Sequence, residues 1–138
     1  MKVLVDTPVW SLTLRRRPQD LSAAEFRLKK DMDELVAEDR ALVIGPVRQE
    51  LLSGLRDETQ FNRLLRLLEP FPDTPITTED YENAARMSNL CRSRGVANTA
   101  VDMLICTVAI TSGAPVFTVD RDFLRYSRVL PIKLFQSV

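Results

Sequence analysis

"KVLVDTPVW" (residues 2–10) opens as a short apolar strand and stops at an acid. Val3, Leu4 and Val5 are residue types that fill a strand buried on both faces. Asp6 follows without a break, and a carboxylate at the margin of a core is costly unless something pairs with it. A helix N-terminus, a basic side chain or a metal ion can do so. Thr7 or Asp6 can cap a short helix that carries Pro8 in its first turn and breaks at Pro18. Strand, acid, helix is therefore the unit to look for along the rest of the chain.

The unit recurs. "ALVIG" (41–45) is a second short strand, and Pro46 suits the first turn of a helix running to Gly54. "PVFTVD" (115–120) is a strand that ends in an acid, as the first does. "PFPDTPIT" (70–77) is proline-rich and has room only for a short edge strand, and "VLPIKLF" (129–135) reads as the last strand. Helical spacing of apolar residues predicts helices over 20–38, 58–69, from Thr77 or Thr78 to Gly95, and from Asn98 or Thr99 to Gly113. The buried faces are Ala24, Leu28, Met32, Leu35 and Val36 in the first, and Phe61, Leu64, Leu65 and Leu68 in the second. In the last they are Val101, Leu104, Ile105, Val108 and Ala109. Strands alternating with helices predict an α/β fold with a mainly parallel sheet of four to five short strands and helices on both faces. In such sheets function gathers beyond the carboxyl ends of the strands.

Composition narrows the chemistry. The 138 residues suit a single domain over 1–138, and 45% hydrophobic content is enough for a core. No apolar run approaches the roughly 20 residues of a membrane span. The N-terminus lacks a signal-peptide pattern, so the expectation is a cytoplasmic protein. Net charge is zero, so an anionic substrate must be met by a local patch. Fifteen of the nineteen basic residues are arginines, a bias that is either compositional or suited to phosphate. Cys91 and Cys106 have no CxxC partner and read as buried free thiols, consistent with a reducing compartment. The chain contains no histidine, which excludes Ser-His-Asp and Cys-His catalysis and histidine-bound zinc. Any catalysis must rest on carboxylates or on a metal they hold.

Several acids are placed for that. Asp6 and Asp120 both end a predicted strand, and neighbouring strands would bring them within about 4.8 Å. Carboxylates that close repel, so one takes up a proton or a cation. Asp102 is the third residue after Thr99, where an acid favours a helix N-terminus, yet it lies at the border of the apolar stripe. Glu50, in "PVRQELLSGL", lies about 90° from the centre of its helix's apolar face. Asp122 reads as the cap of a turn beginning "DFLRY", able to reach a cation through water. The acids of "KKDMDELVAED" read as a solvated helix face.

Taken in order, "VLVDTPVW", "PVRQELLSG", "TAVDMLICTVAI" and "VFTVDRDF" resemble the four acidic motifs of PIN domains, most closely those of VapC-type toxins of bacterial toxin–antitoxin pairs. The resemblance spans essentially the whole chain. It implies a three-layer α/β/α fold and a four-carboxylate site at Asp6, Glu50, Asp102 and Asp120. Asp122 matches a further acid, and Thr7 and Thr118 match polar neighbours. "LICTVA" stands where the family often has "IAA" after the third acid, and "CRSRG" stands in place of a basic "RRRG". Arg92 and Arg94 are thus candidates for RNA binding, beside Arg15, Arg16 and Arg17 of "LRRR".

The resemblance implies a metal-dependent endoribonuclease, and an oxygen-only carboxylate site independently selects Mg²⁺ or Mn²⁺, one or two ions, over zinc. Asp6, Asp102 and Asp120 are the expected metal ligands, with Glu50 orienting or deprotonating the attacking water. The implied partners are an RNA substrate, a second copy of the chain and a VapB-type antitoxin, with a larger assembly open. The helix pair around Trp10, Leu12, Leu14 and Phe26 is the expected antitoxin groove. A PIN-fold nuclease of RNA processing and an inactive PIN-fold binding module are the alternatives. Folds with a nucleophilic strand-one Asp, and receiver domains, need a second acid close by, and "VDTP" offers one acid only.

Overall fold

Val3, Leu4 and Val5 have no solvent exposure, which is the burial expected of a central strand with helices on both faces. In the computed structural model they form β1 (Val3–Val5). There follow α1 (Thr7–Arg15), α2 (Ala23–Ala37), β2 (Ala41–Leu42), α3 (Gly45–Leu52), α4 (Glu58–Leu68) and α5 (Thr78–Ser93). Next come α6 (Ala100–Ser112), β3 (Val116–Phe117) and α7 (Asp122–Ser127), and a 3-10 turn at Pro18–Asp20 separates α1 from α2. Arg16, the Arg15 side chain and residues 137–138 lie outside the described residues.

The sheet has the order β2-β1-β3 and is parallel throughout. Leu4 pairs with Leu42 on one side and with Val116 on the other, and Val5 pairs with Phe117. The two predicted outer strands shrink to single parallel bridges, Val43 with Asp73 and Val116 with Leu134. Prolines at 70, 72, 75 and 131 lack the N–H that a longer ladder requires. In one layer α5 and α6 pack together, with α6 on β1 and β3; in the other, α1 packs with α2, α3 and α4.

Helix ends follow their caps. Ser22 and Glu25 form a capping box at α2, as do Thr77 and Asp80 at α5. Thr99 Oγ1 accepts from Asp102 N–H at 3.1 Å and starts α6. Gly113, at φ 64°, ends it in a left-handed cap that disfavours a side chain.

Four expectations need correction. The strand predicted over 115–120 ends at Phe117, and the segment read as a turn at "DFLRY" is the helix α7. Leu65 is exposed, as are Ala24 and Val36, because only one side of α4 and of α2 meets the core. Trp10 is fully buried, edge-to-face with Phe71 at 5.0 Å, and Leu12 is buried too. Of the proposed antitoxin groove only Phe26 stands well exposed, at 54%, so Trp10 and Leu12 belong to the core. Cys91 and Cys106 are free, buried thiols. Among the described residues no helix is long and apolar enough to cross a membrane.

Arg48, on α3, clasps the sheet edge. Its Nε donates to Asp73 Oδ1 at 2.7 Å, Nη1 to the Leu68 carbonyl at 3.1 Å, and Nη2 to the Phe71 carbonyl. Only a guanidinium fork reaches three such acceptors at once. Arg48→Ala is expected to lower stability by about 2 kcal/mol in urea denaturation, with Arg48→Lys recovering less than half.

Candidate functional site

Parallel pairing places the ends of β1 and β3 side by side, so the residues just past them face each other. Asp6 N–H donates to the Phe117 carbonyl at 2.9 Å, which carries the β1–β3 ladder one residue beyond the strands. Asp6 is 5% exposed. Its Oδ1 accepts from Thr7 N–H at 2.8 Å and its Oδ2 from Thr118 Oγ1 at 2.7 Å. The residue across from Asp6 is thus Thr118 rather than Asp120. The chain turns at that point because Thr118 Oγ1 also accepts from Asp120 N–H at 3.0 Å.

The hydrogen-bonded chain extends in both directions. Thr7 Oγ1 donates to Glu50 Oε2 at 2.5 Å, bringing the exposed Glu50 of α3 to the foot of α1. On the other side Asp120 Oδ1 accepts from Asp122 N–H at 2.9 Å. The first turn of α7 is therefore served by Asp120, and Asp122 is the helix's first residue rather than its cap. Asp122 is ion-paired with Arg125. Asp102, in the first turn of α6, accepts at Oδ2 from the Tyr126 hydroxyl at 2.7 Å. Asp102, Asp120 and Asp122 each offer an oxygen within 4.8 Å of the others.

Electrostatics bind Asp6 to this group. Burial pushes its carboxyl up from 3.8 to about 6, against the lowering effect of the Thr118 and Thr7 hydrogen bonds, and Asp102 and Asp120 raise it further. Burial also raises Asp102, opposed by Tyr126 and Thr99 and reinforced by Asp120 and Asp122. These carboxyls sit above their ordinary range because partly buried negative charges share one space. An oxygen-only donor set short of positive charge fits a hard divalent cation, and it does not fit zinc, which takes nitrogen and sulfur ligands as well.

The structure thus gathers Asp102, Asp120 and Asp122 within 4.8 Å, while Asp6 and Glu50 stand outside that group and join the site through hydrogen bonds of Thr118 and Thr7. It adds Tyr126, which sequence reasoning missed. The signal was present in "DRDFLRY", where Tyr126 stands one helical turn after Asp122, but reading a turn there hid the shared face. Arg17, Arg92 and Arg94 are exposed, and the arginine that reaches the acids is Arg125. Arg15 and Arg16 cannot be placed, since the side chain of one and the whole of the other lie outside the described residues. A recess of about 320 Å³ beside the acids is lined in part by Asn98, Thr99, Asp122, Arg125 and Tyr126.

Comparison with known proteins gives consistent matches. The PIN domain family model matches residues 3–129. Ribonuclease VapC11 of Mycobacterium tuberculosis is 28% identical over 131 residues, covering 92% of each chain. The crystal structure of FitAcB from Neisseria gonorrhoeae shares the fold, with a TM-score of 0.74 and 23% identity, covering 97% of this chain and 96% of that one. So does VapBC2 from Rickettsia felis, solved bound to a DNA fragment from their promoter. Its TM-score is 0.75 at 15% identity, covering 100% of both chains.

A stability measurement follows from Asp6. Its folded-state pKa is raised to about 6 from 3.8, so the native state binds that proton more tightly than the unfolded chain. The stabilisation is complete below about pH 4 and is lost as pH rises through 6. In EDTA, Asp6→Asn is expected to raise stability at pH 7.5 by about 1–2 kcal/mol. The full shift is not recovered, because an amide cannot accept both hydrogen bonds. The gain should vanish toward pH 4, as read from urea midpoints at the two pH values.

Proposed function

The chain belongs to the PIN-domain family, and from that premise we propose that it is a Mg²⁺- or Mn²⁺-dependent endoribonuclease, the VapC-type toxin of a toxin–antitoxin pair. The observation that carries this reading is the convergence of Asp102, Asp120 and Asp122 oxygens within 4.8 Å, beside a buried Asp6. The relative named a VapC ribonuclease supports the activity, and the neighbour solved as VapBC2 supports a VapB-type partner.

Asp6, Asp102 and Asp120 are the residues that would hold the ion, with Asp122 adding a further oxygen. A bound divalent cation lowers the pKa of its water and neutralises charge on the phosphate. Glu50, oriented by the Thr7 hydroxyl, takes the proton of the attacking water, the role that a histidine-free chain leaves to a carboxylate. Water adds to phosphorus as the bond to the 3′-oxygen breaks, and the 3′-oxygen takes a proton from solvent, leaving a 5′-phosphate and a 3′-hydroxyl. Thr118 holds Asp6 and Asp120 in register, since its hydroxyl serves both.

The chain's net charge is zero, so RNA is gripped locally, by Arg15, Arg16 and Arg17 and by Arg92 and Arg94. The antitoxin blocks the site with a basic side chain set among the acids. The active unit is a homodimer within a toxin–antitoxin assembly.

Structured RNAs incubated with Mg²⁺ or Mn²⁺ should be cut. EDTA should abolish cleavage, and Asp6→Asn should reduce it by at least about 100-fold. Activity that survives both refutes the mechanism. Charge reversal at Arg15, Arg16 and Arg17 should weaken RNA binding and flatten its salt dependence by about one unit of slope per lost phosphate contact. Unchanged salt dependence removes that patch from the RNA path.

A further inference from the structure

We infer that Tyr126 is a positioning residue that fixes the Asp102 carboxylate for cation binding, an inference that rests on the metal-dependent reading of the site. Three observations point to it. First, the Tyr126 hydroxyl donates to Asp102 Oδ2 at 2.7 Å, joining the last turn of α7 to the first turn of α6. Second, the donor itself is immobilised. Tyr126 is 1% exposed, its ring lies edge-to-face with Phe123 at 5.1 Å, and its carbonyl accepts from the N–H groups of Val129 and Leu130. Third, α7 has only six residues, and within them Asp122 and Tyr126 stand one turn apart on the same face. A single short helix therefore delivers an acid to the cluster and a fixed donor to a second acid of that cluster.

The physical need is clear. Asp102 shares its space with Asp120 and Asp122, and mutual repulsion drives such side chains to rotate apart. The aspartate side chain has two torsions, and Thr99, whose Oγ1 accepts from the Asp102 backbone N–H, also acts on the carboxyl from within its own helix. The hydrogen bond from Tyr126 restrains the carboxylate from a second, separate helix. It engages Oδ2. A second donor that orients a ligand typically matters by about 10–100-fold in metal affinity.

The test is Mn²⁺ titration of the intact protein by electron paramagnetic resonance, comparing wild type, Tyr126→Phe and Asp102→Asn, with melting temperatures taken in EDTA. Phenylalanine keeps the ring and its contact with Phe123, so the fold is retained. The expected result is Mn²⁺ binding weakened about 10–100-fold in Tyr126→Phe. RNA KM should be unchanged and kcat should be recovered at saturating Mn²⁺. A merely structural tyrosine would shift the melting temperature and leave Mn²⁺ affinity alone, and that outcome overturns the inference while leaving the nuclease reading intact. Wild type that binds no Mn²⁺, or Asp102→Asn that binds it as well as wild type does, overturns both. Should Tyr126→Phe melt too low to titrate, Phe123→Leu loosens the same ring without touching the hydroxyl. A smaller loss of Mn²⁺ affinity there supports the inference, and none overturns it.

Discussion

The hydrogen bond between Thr118 and Asp6 is the interaction on which the site depends. A carboxylate 5% exposed at the end of a fully buried strand cannot remain unpaired. Its two oxygens are met by Thr7 and Thr118, one from the helix that follows it and one from just past the neighbouring strand. Because β1 and β3 are parallel, Thr118 stands at the same level as Asp6. The same hydroxyl turns the chain toward Asp120. One bond thus ends a strand, satisfies a buried acid and aims the next two acids at the first.

What this bond gathers is costly in isolation. Asp6 and Asp102 both sit above their ordinary carboxylate range, chiefly from burial and then from neighbouring acids, Asp102 and Asp120 for the first and Asp120 and Asp122 for the second. Core packing does not require such an arrangement; leucines would fill the same space more stably. The surrounding donors are placed to hold the acids in position rather than to neutralise them: hydroxyls from Thr7, Thr118 and Tyr126, and backbone N–H groups from Thr7 and Asp122. Arg125 is the one cation that reaches the cluster among the described pairs, and it does so from a side chain 59% exposed. Strong negative potential kept in fixed geometry is the state a divalent cation relieves.

Most of the fold was legible because its signals are local. Proline and glycine punctuation, caps at Thr77 and Thr99, and apolar runs at 3–5 and 116–117 are properties of a few adjacent residues. The prolines of 70–77 limited that segment to a short edge strand, as found, but 129–135 was read as a full strand although Pro131 has no N–H to offer a ladder. Leu65 was placed inside because periodicity finds an apolar stripe without knowing how wide a stripe the core covers. The acids themselves were visible, each at a strand end or a helix start. Their relations were not. That Asp6 meets Thr118, that Glu50 meets Thr7, and that a tyrosine joins Asp102 are facts of three-dimensional register. Tyr126 in particular was hidden by a missed six-residue helix.

The bond from Thr118 to Asp6 spans 112 positions of sequence. Synthesis runs from the N-terminus at about 5–20 residues per second. Asp6 leaves the ribosome 112 positions ahead of Thr118, and Asp120, Asp122 and Tyr126 follow later still. Until then β1 lacks one of its two neighbours, and Asp6 lacks the partner that holds its second oxygen. No nascent fragment that stops before this point contains the acid cluster. The topology therefore works as a timing device: the centre comes into existence only once synthesis has passed Tyr126, and chains terminated before that point lack it.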